Sequence, residues 1–112
     1  MGPGPAAVTD LDPVIHAQAR LRIMAALSGL ADGDRMTFPR LQQILDMTAG
    51  NLSVHLTKLE QAGYVEVVKS FRGRTPTTSA GLTRRGRVAF EDYTAALRAL
   101  LEPPRERPLK EG

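Results

Sequence analysis

The chain has 112 residues, with no cysteine, no tryptophan and two histidines, which excludes disulfides, thiolate zinc sites, cysteine nucleophiles and thiol redox sensing. A metal site would have to rest on carboxylates, so neither a metal nor a cofactor is predicted. Net charge is +3, but the stretch from Lys58 to Arg87 alone holds seven basic and two acidic residues, and a basic segment on a near-neutral body points to a polyanion partner.

The length predicts one domain, divided as a flexible segment 1–11, a folded domain 12–102 and a disordered tail 103–112. No apolar run approaches the roughly 18 residues of a membrane span. The opening "MGPGPAAVTD" lacks the basic and apolar regions of a secretory signal, and Ala6 stands where myristoylation wants Ser or Thr. A cytoplasmic protein without a membrane partner is expected. Asp12-Pro13 reads as a helix start, an acceptor at the N-cap followed by a residue whose missing N–H does no harm, with the helix running to about Leu30. Val14, Ala17, Leu21 and Met24 form one ridge, and Ile23, Leu27 and Leu30 a second beside it, a face broad enough for more than one neighbour.

"ADGDR" is a turn. Thr37 caps a short helix over Phe38 to Asp46, with Leu41, Ile44 and Leu45 directed inward. Met47 and Thr48 leave little room before the next helix. Thr48 is its cap, Met47 and Leu52 are placed for a hydrophobic staple, and Gly63 is its left-handed C′ residue. "YVEVVKSF" reads as a strand, "RGRTP" as a turn and "TTSAGL" as a weaker returning strand. The result is a β-hairpin with a basic tip. Thr83 caps a last helix to about Leu101. Its Phe90, Tyr93, Leu97 and Leu100 are spaced close to a heptad seam.

The third helix has an odd beginning. "TAGNLSVHLTKLEQAG" puts Gly50 and Asn51, both poor interior helix formers, in the first turn. On a wheel of about 100° per residue, Leu52, Leu56 and Leu59 share one side. Gly50, Ser53, Val54, Thr57 and Lys58 share the other, with Asn51 at its edge and His55 on a flank. A helix entering the major groove places its N-terminal residues near base edges. Small residues there allow close approach, free N–H groups suit phosphate, and asparagine pairs with adenine. His55 is read as a structural or phosphate-positioning group rather than a ligand, and His16 as a surface or interface residue. Arg84, Arg85 and Arg87 stand at the start of the last helix, where the macrodipole disfavours cations. They form either a solvated face or an auxiliary phosphate contact.

Helix, helix, tight turn, helix, basic hairpin, helix is the order of a winged helix-turn-helix. "RLRIMAAL" together with "TFPRLQQILDMTAGNLSVHLTKLEQAGYVEVVKSFRGRTPTTSAGLTRRGRVAFEDYTAAL" resembles the winged helix regulators of the MarR/ArsR-like type over residues 13–100. The resemblance implies a mainly helical α+β fold with a two- to three-stranded antiparallel wing and a C-terminal dimerisation helix. It implies a dimeric transcriptional regulator that binds double-stranded DNA, a short pairing segment at Arg35 to Thr37, Asn51, Ser53 and His55 on the recognition helix, and Arg72 and Arg74 on the wing. The cysteine motif of ArsR-type metal sensors is absent, so metal sensing is not implied.

The expected function is therefore a homodimeric regulator acting on a pseudo-palindromic site. Its recognition helix presents Thr48, Gly50, Asn51, Ser53, Val54, His55, Thr57 and Lys58. Its wing presents Lys69, Arg72, Gly73 and Arg74. Its dimer interface uses Leu21, Phe90, Tyr93, Leu97 and Leu100. The rival is a winged helix that meets another protein with the same face. An enzyme is not expected, for want of a nucleophile with a base, a phosphate loop or paired carboxylates. The sequence does not specify a small-molecule effector.

Overall fold

Three threonines start three of the helices. The computed structural model describes residues 11–104, and these run in the order α1 (Gln18–Ser28), β1 (Met36–Thr37), α2 (Phe38–Leu45), α3 (Ala49–Gln61), β2 (Val65–Arg72), β3 (Thr75–Leu82) and α4 (Arg84–Leu101). Thr37, Thr48 and Thr83 are extended, and their side-chain oxygens accept from the backbone N–H of Arg40 at 3.4 Å, Asn51 at 3.2 Å and Gly86 at 2.9 Å. Each satisfies one of the free donors that a helix start leaves. The segments expected to be flexible or disordered lie almost wholly outside the described residues.

The first helix departs from expectation. Asp12 makes the predicted acceptor contact, with Oδ1 2.8 Å from the N–H of Val14, and its carbonyl accepts from His16 at 2.7 Å. This is one turn only. Ala17 is extended, with φ −144° and ψ 132°, and the regular helix begins at Gln18. The break lets Ile15 enter the core, where it is fully buried. It also turns His16 toward the last helix, with Nδ1 2.8 Å from the Tyr93 hydroxyl. A continuous helix from Pro13 would spread these three residues around its circumference.

In α2, Leu41 and Leu45 are buried, but Ile44, expected inside, is 44% exposed. An eight-residue helix needs only its i, i+4 pair to fill the contact, and Ile44 lies beside that stripe. The Nη2 of Arg22 caps the helix end by donating to Leu45 O at 2.8 Å. The turn to α3 is made by Asp46 in the left-handed region, with φ 55°, a conformation that Asp tolerates better than most residues. The end of α3 is a Schellman motif. Gly63 has φ 81°, its N–H bonds to Glu60 O at 2.9 Å, and the N–H of Tyr64 bonds to Leu59 O at 3.0 Å.

The sheet order is β1-β3-β2, antiparallel throughout. The expected pairing segment is present, with Met36 opposite Ala80 and Thr37 opposite Ser79. The wing is longer and its turn tighter than the sequence suggested. Arg72 pairs with Thr75, leaving a two-residue turn of Gly73 and Arg74. Gly73, with φ 65°, occupies the first central position, as type II′ hairpins require. Pro76 is thereby inside β3, opposite Phe71. It is tolerated because ladder pairs alternate. The pair next to the closing Arg72–Thr75 pair does not exchange hydrogen bonds, and β1 ends before reaching this part of β3.

α4 is fastened at its start. The hydroxyl of Thr83 donates to Gly63 O at 2.6 Å, and its backbone N–H donates to Tyr64 O at 3.1 Å. Gly86 is buried against the same carbonyl, since a Cβ on it would lie 1.9 Å from Tyr64 O. The core joins Ile15, Ile23, Met24 and Leu27 to Leu41, Leu45, Leu52, Leu56, Leu59, Val65, Ala80 and Tyr93. No polar or charged residue is buried among the described residues. Each large side chain so buried is worth about 1.5–3 kcal/mol, and the three leucines of α3 fix which of its faces is left outside.

Candidate nucleic-acid interface

With Leu52, Leu56 and Leu59 inside, α3 turns Thr48, Gly50, Asn51, Ser53, Val54, Thr57 and Lys58 to the surface. Little of this face is used by the chain itself. A Cβ added at Gly50 would meet nothing within 4 Å, so packing does not require glycine there. Among the described residues the Asn51 carboxamide makes no hydrogen bond to the rest of the chain, and its backbone N–H is the one that Thr48 caps. Thr57 is an exception, its hydroxyl donating to Ser53 O at 2.9 Å. Val54, 54% exposed, adds an apolar spot of the kind that meets a thymine methyl.

His55 lies on the flank, half-buried, with Nδ1 3.3 Å from Nη1 of Arg20. A guanidinium only donates, so Nδ1 accepts and the ring proton sits on Nε2. Arg20 is itself held by its Nε, which donates to Val14 O at 2.5 Å. Burial, and then the charges of Arg20 and Lys58, hold the His55 imidazole below its ordinary range. The ring is thus a neutral acceptor that keeps a cation beside α3. Arg20 carried no signal in the sequence beyond its charge.

A cleft separates α3 from the wing. Ser53, Leu56, Thr57 and Glu60 line one wall, Val67, Lys69, Arg72 and Pro76 the other, and Thr37 and Phe38 the end. Lys69, Arg72, Gly73 and Arg74 are all exposed. Among the described residues the one ion pair is Arg87 with Asp32, so no described carboxylate neutralises the wing cations.

The three arginines at the start of α4 divide their work. Arg84 is exposed. Arg85 lies with its guanidinium carbon 5.9 Å from the centre of the Tyr64 ring. Tyr64 donates to the Asp12 carboxylate, a hydrogen bond that, ahead of burial, pushes its phenol above the ordinary range. Arg87 is structural. Its Nε is 2.8 Å from Asp32 Oδ1, and Nη1 and Nη2 reach Ser28 O and Leu30 O at 3.4 and 3.3 Å. It closes the end of α1 and is not available to the wing. The sequence offered no means of separating it from its neighbours.

Of the expected dimer residues, Leu21, Phe90 and Leu97 are half-buried and Leu100 is 49% exposed, with Leu101 beside it at 72%. Tyr93 is in the core of its own chain, 3% exposed, with its hydroxyl taken by His16.

Residues 20–101 match the model of the winged helix DNA-binding domain. The chain belongs to that family. This winged helix domain is 41% identical over 81 residues to MJ0432 of Methanocaldococcus jannaschii, a protein itself uncharacterised, with 71% of this chain and 84% of the relative covered. Its fold superposes on a transcriptional regulator homologue from Pyrococcus horikoshii OT3, with a TM-score of 0.75 at 27% identity over 87% of this chain and 92% of that one. It also superposes on DNA-bound, overoxidised AbfR, with a TM-score of 0.64 at 20% identity over 76% of this chain and 60% of that one. The last is a likeness of fold alone. The winged helix architecture and the resemblance to MarR/ArsR-type regulators are borne out.

Proposed function

We propose that this winged helix protein is a sequence-specific regulator of transcription that binds as a homodimer to a pseudo-palindromic DNA site. Its family and its fold neighbours support a DNA-binding regulator. The finer reading rests on one observation. The first turns of α3 expose a face that the fold does not use, with open space at Gly50 and, among the described residues, no hydrogen-bond partner for the Asn51 carboxamide and no ion-pair partner for the wing cations beside it.

In this reading α3 lies in the major groove, with Gly50 permitting close approach and Asn51 and Ser53 reading base edges. Lys58 and the wing residues Lys69, Arg72 and Arg74 take phosphates or the minor groove. Arg20, held by His55, adds a cation on the flank. Phe90, Leu97, Leu100 and Leu101 of α4, with Leu21 of α1, meet a second copy, giving two half-sites about one helical turn, some 34 Å, apart.

Selection of bound fragments from random duplex DNA by the purified protein, followed by footprinting, tests it. An inverted repeat protected on one face supports the reading. Binding without sequence preference contradicts it.

A further inference from the structure

The tip of the wing carries an apolar pair that its cations do not account for. Phe71 is 71% exposed, and Pro76, opposite it in the ladder, is exposed as well. The pair stands one step behind the closing residues Arg72 and Thr75, among Lys69, Arg72 and Arg74, and from Val67 to the end of β3 the hairpin holds no carboxylate. Asp34 and Arg35 lie across a shallow depression that Phe71 borders, and they leave the ring uncovered. An exposed phenyl ring forgoes the burial that such side chains normally supply. At the end of a narrow two-stranded ribbon, with Lys69, Arg72 and Arg74 within three positions of it in the chain, the exposed ring accompanies the hairpin's cations to a polyanion.

We propose that Phe71, backed by Pro76, is a wedge. The wing cations seat the tip on the minor groove of duplex DNA, and the ring enters against a base step, partly unstacking it and bending the duplex toward the major groove. The step is a pyrimidine–purine one, because those unstack most readily. The wedge therefore adds preference at a position that no hydrogen bond reads. This inference rests on the DNA-binding reading above.

The test uses a duplex selected from random sequence by the wild-type chain, labelled at its ends with a donor and an acceptor dye. Binding by the wild-type chain brings the ends together by a bend of at least about 20°, the lower end for intercalating side chains. Phe71→Ala binds the same duplex but leaves it straight. Phe71→Leu, which keeps an apolar wedge, retains most of the bend. A wild-type complex that is straight, or a Phe71→Ala complex bent like the wild type, overturns the wedge while leaving DNA binding intact. If the wild-type chain binds no duplex, the DNA reading and the wedge fall together, and that result shows as absent binding rather than as binding without a bend.

Discussion

Arg20 and His55 are joined across α1 and α3, Nη1 to Nδ1, at 3.3 Å. The arrangement needs a neutral imidazole, because a protonated ring has no acceptor left and would face a guanidinium. His55 is held below its ordinary pKa in the folded chain, by burial first and then by Arg20 and Lys58. Between the lowered folded value and the unfolded value near 6.5, the unfolded chain binds more protons, so stability rises with pH there. It is lost as pH falls below about 6.5. Thermal melts from pH 7.5 to 5 should show a smaller drop for His55→Gln than for the wild-type chain. Equal drops would mean that the contact contributes nothing. The effect is modest, since His55 is only half-buried.

Gly86 and Gly50 should respond in opposite ways to the same substitution. At Gly86 an added Cβ lies 1.9 Å from Tyr64 O. Backbone cannot swing aside as a side chain can, so Gly86→Ala should destabilise by about 2–3 kcal/mol or more, the upper range for overpacking. At Gly50 the space is open. Gly50→Ala should stabilise by up to about 0.5–1 kcal/mol through lower chain entropy while weakening DNA binding. Denaturant unfolding of both variants checks the pair. A destabilised Gly50→Ala would remove the argument that this glycine serves the groove rather than the fold.

Arg87→Ala should cost about 1–2 kcal/mol, the low end for hydrogen bonds from a charged donor, because its bonds to Ser28 O and Leu30 O are long, at 3.4 and 3.3 Å. Asp32→Ala should change stability by less than about 0.5 kcal/mol, since the carboxylate is 87% exposed and exposed ion pairs contribute little. Neither change should alter the salt dependence of DNA binding. Arg74→Ala should leave stability unchanged and lower that salt slope by about one per half-site. A slope change in Arg87→Ala would return Arg87 to the DNA contacts.

The apolar end of α4 should hold two copies together. Leu100 and Leu101 are 49% and 72% exposed, so replacing both with Asp leaves the core of the chain untouched. Sedimentation at micromolar concentration should find a dimer for the wild-type chain and a folded monomer for Leu100→Asp/Leu101→Asp. A wild-type monomer that still binds DNA tightly would remove the dimer.

The sequence was most legible where local chemistry is strong. The caps at Thr37, Thr48 and Thr83, the left-handed Gly63 and the buried face of α3 follow from side-chain oxygens, a missing Cβ and leucine spacing. It was least legible where distant residues decide. The helix predicted from Pro13 begins at Gln18, where the break at Ala17 accompanies the burial of Ile15 and the bond of His16 to Tyr93, far apart in sequence. Pro76 reads as part of the turn, and only the register with Phe71 places it inside β3 at a harmless position. For the candidate site, the exposure of Gly50, Asn51 and Lys58 was readable from periodicity. The anchoring of Arg20 by Val14 and His55, and the use of Arg87 as a clamp, depend on tertiary contacts that no local pattern encodes.

The central claim is that the exposed first turns of α3 read bases, and Asn51 tests it most directly. Titrations of a selected duplex and of a scrambled duplex, by the wild-type chain and by Asn51→Ala at one fixed salt concentration, give four affinities. Melting temperatures of both proteins accompany them. The account predicts that Asn51→Ala lowers affinity for the selected duplex by about 1–3 kcal/mol, leaves affinity for the scrambled duplex unchanged because no charge is lost, and leaves the melting temperature unchanged because the carboxamide has no partner among the described residues. Unchanged discrimination between the two duplexes would contradict it.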